Sequence, residues 1–424
     1  MKQAHGVSRS PLAGLAPARP LVVGTGLSGL AAALALAHAG LDVTLAGPPV
    51  DAARQPDRRT TALFGGSVHF LDHLGVLARL GDRIAPLVGL RLVDDTGALL
   101  RAPETLFHAS ELGLASFGAN FENVPLLAAL ADAVRAHDTI DWRTAAVARL
   151  APRGDGIDAE FSDGSRWDGA LVVGADGRAS LCRASAGCAV SEQSYPQHAL
   201  VTRFDHARPH DGISTEFHRR HGPLTTVPLP GRASSLVWVE TPAEAQRLAA
   251  LSEKDFRAAL EERLMGVLGA VGAIGARATF PLRYLSAHPI AARRIALIGE
   301  AAHVIPPIGA QGLNLGLRDV AWLAEIVGRA ADDERDIGAP ETLAAYAAAR
   351  RTDVLTRSLA VDALNRSLLA DLALADLARG AGVVSLNLVP WLKSIAMEQG
   401  MGPAGPLPPL LRPRADAPRR TSEP

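Results

Sequence analysis

Between residues 20 and 47 the chain alternates short apolar runs with small-residue turns. Residues 21–23 (LVV) predict a buried strand, residues 24–29 (GTGLSG) a turn, and residues 30–39 a helix of alanine and leucine. Gly40 ends that helix, as glycine commonly does, and residues 41–45 predict a second strand. Apolar strands joined through a helix are the βαβ unit of an α/β protein.

Further on, Leu63, Val68, Leu71, Leu74 and Leu77 recur near helical spacing and predict a helix over 61–80. Residues 87–107 and 144–173 alternate as strands and turns, with a helix over 123–137 between them. Residues 197–240 form a β-rich block, 252–271 a helix and 294–298 another buried strand. After Gly312 the pattern stays helical to about residue 378. Segments of cofactor-sheet type lie at 20–47, 170–185 and 294–330, and the β-rich block separates the last two. Interleaved domains fit that order better than domains in series. The expected divisions are a cofactor domain in two parts (20–189 and 276–345), with second-sheet strands inserted around 87–107. A β-rich substrate domain covers 190–275 and a C-terminal helical region 346–400. Residues 1–19 read as a flexible tail, and the proline- and arginine-rich residues 401–424 as a disordered one.

A chain of 424 residues has room for two or three packed units. Its 43 basic and 44 acidic residues nearly cancel, which argues against a nucleic-acid partner. Only Lys2, Lys254 and Lys393 are lysines; with so much alanine, the arginine bias reads as genome composition. Cys182 and Cys188 lack metal-ligand spacing, fit a reducing compartment and read as small core residues; no metal site is expected. The N-terminus lacks the apolar segment of a signal peptide, and no long uncharged apolar run appears. A cytoplasmic protein is expected, with contact at a membrane surface left open.

The turn Gly24-x-Gly26-x-x-Gly29 follows a strand and opens a helix. Gly24 permits the tight turn, Gly26 lets backbone approach a pyrophosphate, and Gly29 lets the helix pack on the sheet. The acidic residue that usually ends the second strand and holds a ribose is missing; its place is taken by Gly47. In residues 171–178 (LVVGADGR) a buried strand ends at a turn carrying Asp176, either a cofactor-edge acceptor or an ordinary turn residue. Residues 299–319 (GEAAHVIPPIGAQGLNLGLRD) pass from a strand through Pro306-Pro307 to the nearly side-chain-free Gly309-Ala310-Gln311-Gly312. A helix is expected to begin at Leu313. A planar ring fits such a ledge, and a reduced flavin, negative near N1 and the C2 carbonyl, gains from a helix N-terminus. Glu300 is placed for a ribityl hydroxyl. His303 reads as a packing or hydrogen-bonding residue, Asn314 as a cap or brace, and Arg318-Asp319 as a local ion pair.

Together these three motifs resemble the flavin-dependent aromatic hydroxylases related to para-hydroxybenzoate hydroxylase. Within that family the chain is most similar to the hydroxylases of ubiquinone biosynthesis. The closer match rests on residues 57–63 (DRRTTAL), 195–199 (YPQHA), and 222–224 (GPL) followed by 228–230 (PLP). The resemblance covers about residues 20–400. It implies a Rossmann-like FAD-binding domain interleaved with a β-sheet substrate domain, plus C-terminal helices. FAD would be held by Gly24, Gly26, Gly29, Arg59 and Asp176, with Glu300 in a place usually filled by Asp. Pro307, Gly309, Gln311, Gly312, Leu313 and Asn314 would line the isoalloxazine. A basic or amide side chain is common where this chain has Val124, which leaves Asn123 as a substitute.

The implied reaction is hydroxylation of a polyprenylated phenol through a C4a-hydroperoxyflavin. NAD(P)H or a protein electron donor supplies electrons, and O2 is co-substrate. No side chain must act as nucleophile, and no Ser-His-Asp or Cys-His signature is found. The β-rich block would roof the ring, with residues 217–230 facing it. Such a substrate implies peripheral contact with the inner membrane, and other ubiquinone-biosynthesis proteins as partners. The apolar residues 383–397 are either a lid, a membrane-facing element or core packing. Rival readings are a dehydrogenase using only the βαβ unit, a flavin-poor accessory subunit, and a flavin hydroxylase of another phenol. A halogenase would need a second tryptophan beside Trp238.

Overall fold

The computed structural model describes residues 18–51, 59–97, 103–307, 309–369, 390–402 and 405–414. Strand Pro20–Val23 lies in the middle of a six-stranded sheet, between Leu171–Gly174 and Val43–Ala46. Ile295–Leu297 and Ile140–Arg143 extend it on either side in parallel, and Ala291–Ala292 adds an antiparallel edge. Both faces are covered, which is why these strands read as unbroken apolar runs. Val22 points to a core shared with helices Leu27–His38, Asn123–Arg135 and Gln311–Asp332. Leu21 and Val23 point the other way, to Phe161 and Trp167 of a three-stranded sheet.

A nine-stranded sheet stands beside this unit. Its centre is strand Ala189–His206, paired antiparallel with Ala233–Glu240 and Ala278–His288. Strand alternation divides its side chains. Phe217, Leu224, Leu236 and Trp238 pack on helices Pro242–Ala250 and Glu253–Leu264, with Leu248, Phe256 and Leu260. Ser214, Glu216, Thr225, Val227 and Val237 face a cavity. Phe217 and Leu224, expected over the ring, therefore belong to the opposite face.

Several expectations are corrected. The helix over 61–80 is a strand, Thr60–Phe64, paired with Gly118–Glu122, then helix Gly65–His73 and a short turn Leu77–Leu80. The helix expected to 271 ends at Leu264, where Met265 and Gly266 turn left-handed at φ 49° and 74°. Strand Ala278–His288 falls beyond the expected boundary at 275 yet belongs to the large sheet by hydrogen bonding. Residues 405–414 of the expected disordered tail are packed. Leu410 and Leu411 are buried in the main core, and the Arg412 carbonyl bonds His73 Nε2 at 3.0 Å. Apolar pairs between prolines bury as readily as those in longer elements. Cys182 is buried, but Cys188 is only partly so. Expectations for residues 1–17, 370–389 and 415–424 lie outside the described residues. Among the described residues, no helix is long and apolar enough to cross a membrane.

Candidate active-site cavity

The three glycine-rich turns converge on one side of a cavity of about 830 Å³, and the large sheet closes the other side. Of the expected cofactor residues, Gly26, Arg59, Asn123, Glu300, Pro307, Gly309, Gln311, Gly312 and Leu313 line it. Gly24, Gly29, Asp176 and Asn314 do not, and each has a structural reason.

Gly24 sits at φ +115°, and a Cβ there would lie 2.3 Å from the Ala175 carbonyl oxygen. A Cβ on Gly29 would lie 1.9 Å from the Gly24 oxygen. Both glycines let the turn, the middle motif and the helix close on one another. At Gly26, by contrast, a Cβ would meet nothing within 4 Å. That gap beside a helix N-terminus is what a pyrophosphate needs. Gly47, at φ +148°, is crowded by Thr25, whose Cγ2 would lie 2.9 Å from a Cβ. Its carbonyl accepts from Trp142 Nε1 at 3.1 Å. An acidic side chain at this strand end has no unstrained place.

Asp176 is turned away from the cavity that Ala175 and Gly177 line. Its carboxylate accepts from Ser180 Oγ at 2.6 Å and from the Cys182 amide at 3.0 Å, and so opens helix Leu181–Ala186. Burial, and then the Asp176 charge, push the Cys182 thiol well up. Arg178 reaches Glu300 at 3.5 Å, linking the middle and late motifs; both side chains are about half exposed.

The ledge begins with Pro307 and ends at Ala310, which adopts φ +53° as the N-cap of helix Gln311–Asp332. No side chain caps this end, and its first residues, Gln311 and Gly312, line the cavity. The helix starts two residues before the expected Leu313. Gln311 is buried; its Nε2 donates to the Gly400 carbonyl at 3.2 Å, while Oε1 has no partner among the described residues. Asn314 is the brace of the ledge and not part of the lining. Its Oδ1 accepts from the Phe64 amide and Ser67 Oγ, and its Nδ2 donates to the Ala62 and Ala310 carbonyls, all within 2.9 Å.

His303 and the expected Arg318–Asp319 pair belong to a buried network. His303 Nε2 lies 2.6 Å from Asp319 Oδ2, which also accepts from the Gly299 amide at 3.1 Å. Arg350 Nε donates to Asp319 Oδ1 at 2.8 Å, and Arg318 Nε to Asp353 Oδ2 at 2.7 Å. The two neighbours thus pair with helix Pro340–Leu369 rather than with each other. Burial raises the Asp319 carboxyl, but the His303 and Arg350 charges outweigh it and hold it below its ordinary value. Asp353 is lowered in the same way by Arg318 and Arg350.

The far wall of the cavity was not legible from motifs. Glu216 and Asn120 line it, both buried. The cue was alternation: in residues 213–218 (ISTEFH), Ser214 and Glu216 share the face opposite Phe217. Helix Pro390–Met401 covers the remaining side with Ala396, Met397, Gly400 and Met401, while Trp391 and Ile395 stay exposed. The described part of the apolar segment is thus both lid and outward surface. Gly400 is held twice, since Arg357 Nη1 also donates to its carbonyl, at 3.1 Å.

The chain matches a family described as an FAD binding domain over residues 18–358. It is 36% identical over 404 residues to a ubiquinone hydroxylase, UbiL, of Rhodospirillum rubrum, covering 92% of this chain and 91% of that one. It is 30% identical over 393 residues to the 3-demethoxyubiquinol 3-hydroxylase of Escherichia coli, covering 91% and 99%. Among solved structures, PqsL of Pseudomonas aeruginosa, a probable FAD-dependent monooxygenase, superposes with a TM-score of 0.72 at 22% identity. That match covers 87% of this chain and 99% of PqsL. The chain belongs to this family of FAD-dependent, para-hydroxybenzoate hydroxylase-like monooxygenases.

Proposed function

We propose that this protein hydroxylates the aromatic ring of a prenylated phenol in ubiquinone biosynthesis. The observation that carries the reading is the convergence of all three motifs on one cavity with an uncapped helix end on its floor. The residues present fit FAD. Gly26 leaves space for the pyrophosphate, and a Cβ at Gly309 or Gly312 would meet nothing within 4 Å, so both positions leave room for a ring. The orphaned Gln311 Oε1 waits for a donor. When bound, FAD supplies the redox chemistry that turns O2 into a hydroxylating agent, with NAD(P)H or a protein donor as the source of electrons. The chain's own tasks are then to bind, orient and keep water out. The helix start at Gln311 and Gly312 would offer its positive end to the negative charge of a reduced ring system held on the ledge. Met397 and Met401 add an apolar surface to one side of the site. The ubiquinone chemistry named for both curated relatives supports the choice of substrate.

Gly47 and Val124 withhold side-chain contacts that an FAD site usually has, which favours the accessory-subunit reading as the rival. The test is to titrate the purified chain with FAD, then measure phenol-dependent NAD(P)H oxidation and transfer of isotopically labelled O2 to the ring. We expect stoichiometric flavin and a labelled product. A chain that neither carries nor gains flavin is the accessory subunit; flavin without a labelled phenol points to another substrate.

A further inference from the structure

Nothing in the cofactor motifs assigns the polar groups on the ceiling of the cavity. Leu92, Glu216, Thr225 and Val237 stand in one cross-strand register, and all four line the cavity. Glu216 is therefore a carboxylate in a largely apolar row, with the residue 7% exposed. Burial of such a group is costly unless it is hydrogen-bonded. His218 Nε2 donates to its Oε1 at 2.8 Å, and Thr225 Oγ1 donates to its Oε2 at 3.4 Å. A carboxylate offers about four acceptor sites, so capacity remains.

Asn120 supplies a second acceptor. Its Nδ2 donates to the Pro228 carbonyl at 2.9 Å, and its buried Oδ1 has no partner among the described residues. The Pro228 carbonyl fixes this orientation, because the flipped amide would set two oxygens face to face. The hydroxyl and imidazole donors of this wall are already used. Ser214 Oγ donates to the Thr226 carbonyl at 3.0 Å, and Thr225 and His218 are spent on Glu216. The other ionisable side chains of the lining make their contacts away from Glu216. Arg59 lies over the Phe280 ring, Glu300 pairs with Arg178, and His303 with Asp319.

We propose that this ceiling is a specificity device: Glu216 and Asn120 Oδ1 receive ring O–H groups, and a ring bearing a carboxylate is rejected. The inference rests on the hydroxylase reading above and narrows its substrate to a neutral hydroxylated ring. A ring carboxylate needs cationic or N–H donors. Here it would meet a second carboxylate, and the Glu216–His218 pair is at best neutral. Selection by repulsion of the wrong ligand is as effective as attraction of the right one.

The experiment uses the full chain loaded with FAD and three probes: 2-prenylphenol, its O-methyl ether, and 4-hydroxy-3-prenylbenzoate. Calorimetry gives the affinities, and product analysis gives turnover. We expect the phenol to bind roughly tenfold or more tighter than either competitor, the span of one charge-assisted hydrogen bond. Glu216→Gln keeps the shape of the side chain and should erase most of both preferences, with thermal melting reporting that the fold is intact. Equal binding of all three probes to the unaltered protein overturns the proposal, as does a Glu216→Gln protein that still discriminates. Discrimination without hydroxylation of any probe leaves the ceiling's role standing and overturns the hydroxylase reading instead.

Discussion

At the scale of single residues, the glycines of the first turn divide by what surrounds them. Gly24 and Gly29 are closed in by backbone at 2.3 and 1.9 Å from a would-be Cβ, whereas Gly26 faces empty space. Gly26→Ala should therefore leave the melting temperature of the flavin-free protein unchanged and weaken FAD at least tenfold, as followed by flavin fluorescence. Gly29→Ala should lower the melting temperature whether or not FAD is present, because backbone must shift. A Gly26→Ala protein with unaltered FAD affinity would place the pyrophosphate elsewhere. These glycines were legible because no other residue type does what they do. Asn314 and Asp319 were visible as polar residues in an apolar stretch, but their partners were not. Asn314 bonds across 250 residues to Phe64, and Asp319 across 31 to Arg350. Sequence spacing within one motif carries no information about such pairs, which is why Arg318 and Asp319 looked like each other's partner.

Among the elements, the helix Gln311–Asp332 was read nearly in full, since its apolar face and the glycines before it agree. Its first two residues were missed because Ala310, not a glycine, takes the left-handed conformation that starts it. Strand Thr60–Phe64 was misread for a different reason. Leu63, Val68 and Leu71 keep helical spacing across a strand–helix junction, and period alone does not mark a break that the Gly65–Gly66 pair supplies. Helix Pro390–Met401 carries a prediction of its own. Met397 is 6% exposed, while Trp391 and Ile395 are 64% and 46% exposed on the outer side. We expect this face to touch the bilayer that holds a prenylated substrate. Trp391→Ser with Ile395→Ser should reduce co-sedimentation with lipid vesicles severalfold and leave FAD binding intact. Truncating the chain before this helix is a poorer test, because it also strips Leu410 and Leu411 from the core. Unchanged sedimentation of the double variant would remove the docking role from this helix.

Over the whole molecule, the ledge is locked to helix Pro340–Leu369 by the buried charges around Asp319 and Asp353. Arg350 Nη1 lies 2.8 Å from Asp353 Oδ2, and Arg350 is wholly buried. Both carboxyls sit below their ordinary value near 3.8 in the folded protein. A lowered folded pKa stabilises above the unfolded value, and that contribution is lost as pH falls through the folded one. Melting temperatures should therefore hold at mild acidity and drop steeply below about pH 4. Arg350→Met should cost up to about 3 kcal/mol at neutral pH and flatten the acid limb, since Asp319 then keeps only His303 and the Gly299 amide, and Asp353 loses one of its arginines. An acid limb as steep in that variant as in the parent would show that other groups set it.

The chain also visits its two large sheets by turns. It builds the six-stranded sheet from segments as distant as Pro20–Val23 and Ile295–Leu297, and the ceiling from the strands Gly89–Asp94 and Thr105–His108 and from strands within residues 189–288. Recombination between related genes cannot exchange the roof of this site at a single splice. Each of the two stretches needs a junction on either side, and the Asn120 acceptor travels with neither. New ring preferences in such proteins should arise by replacing individual residues in place, not by shuffling modules.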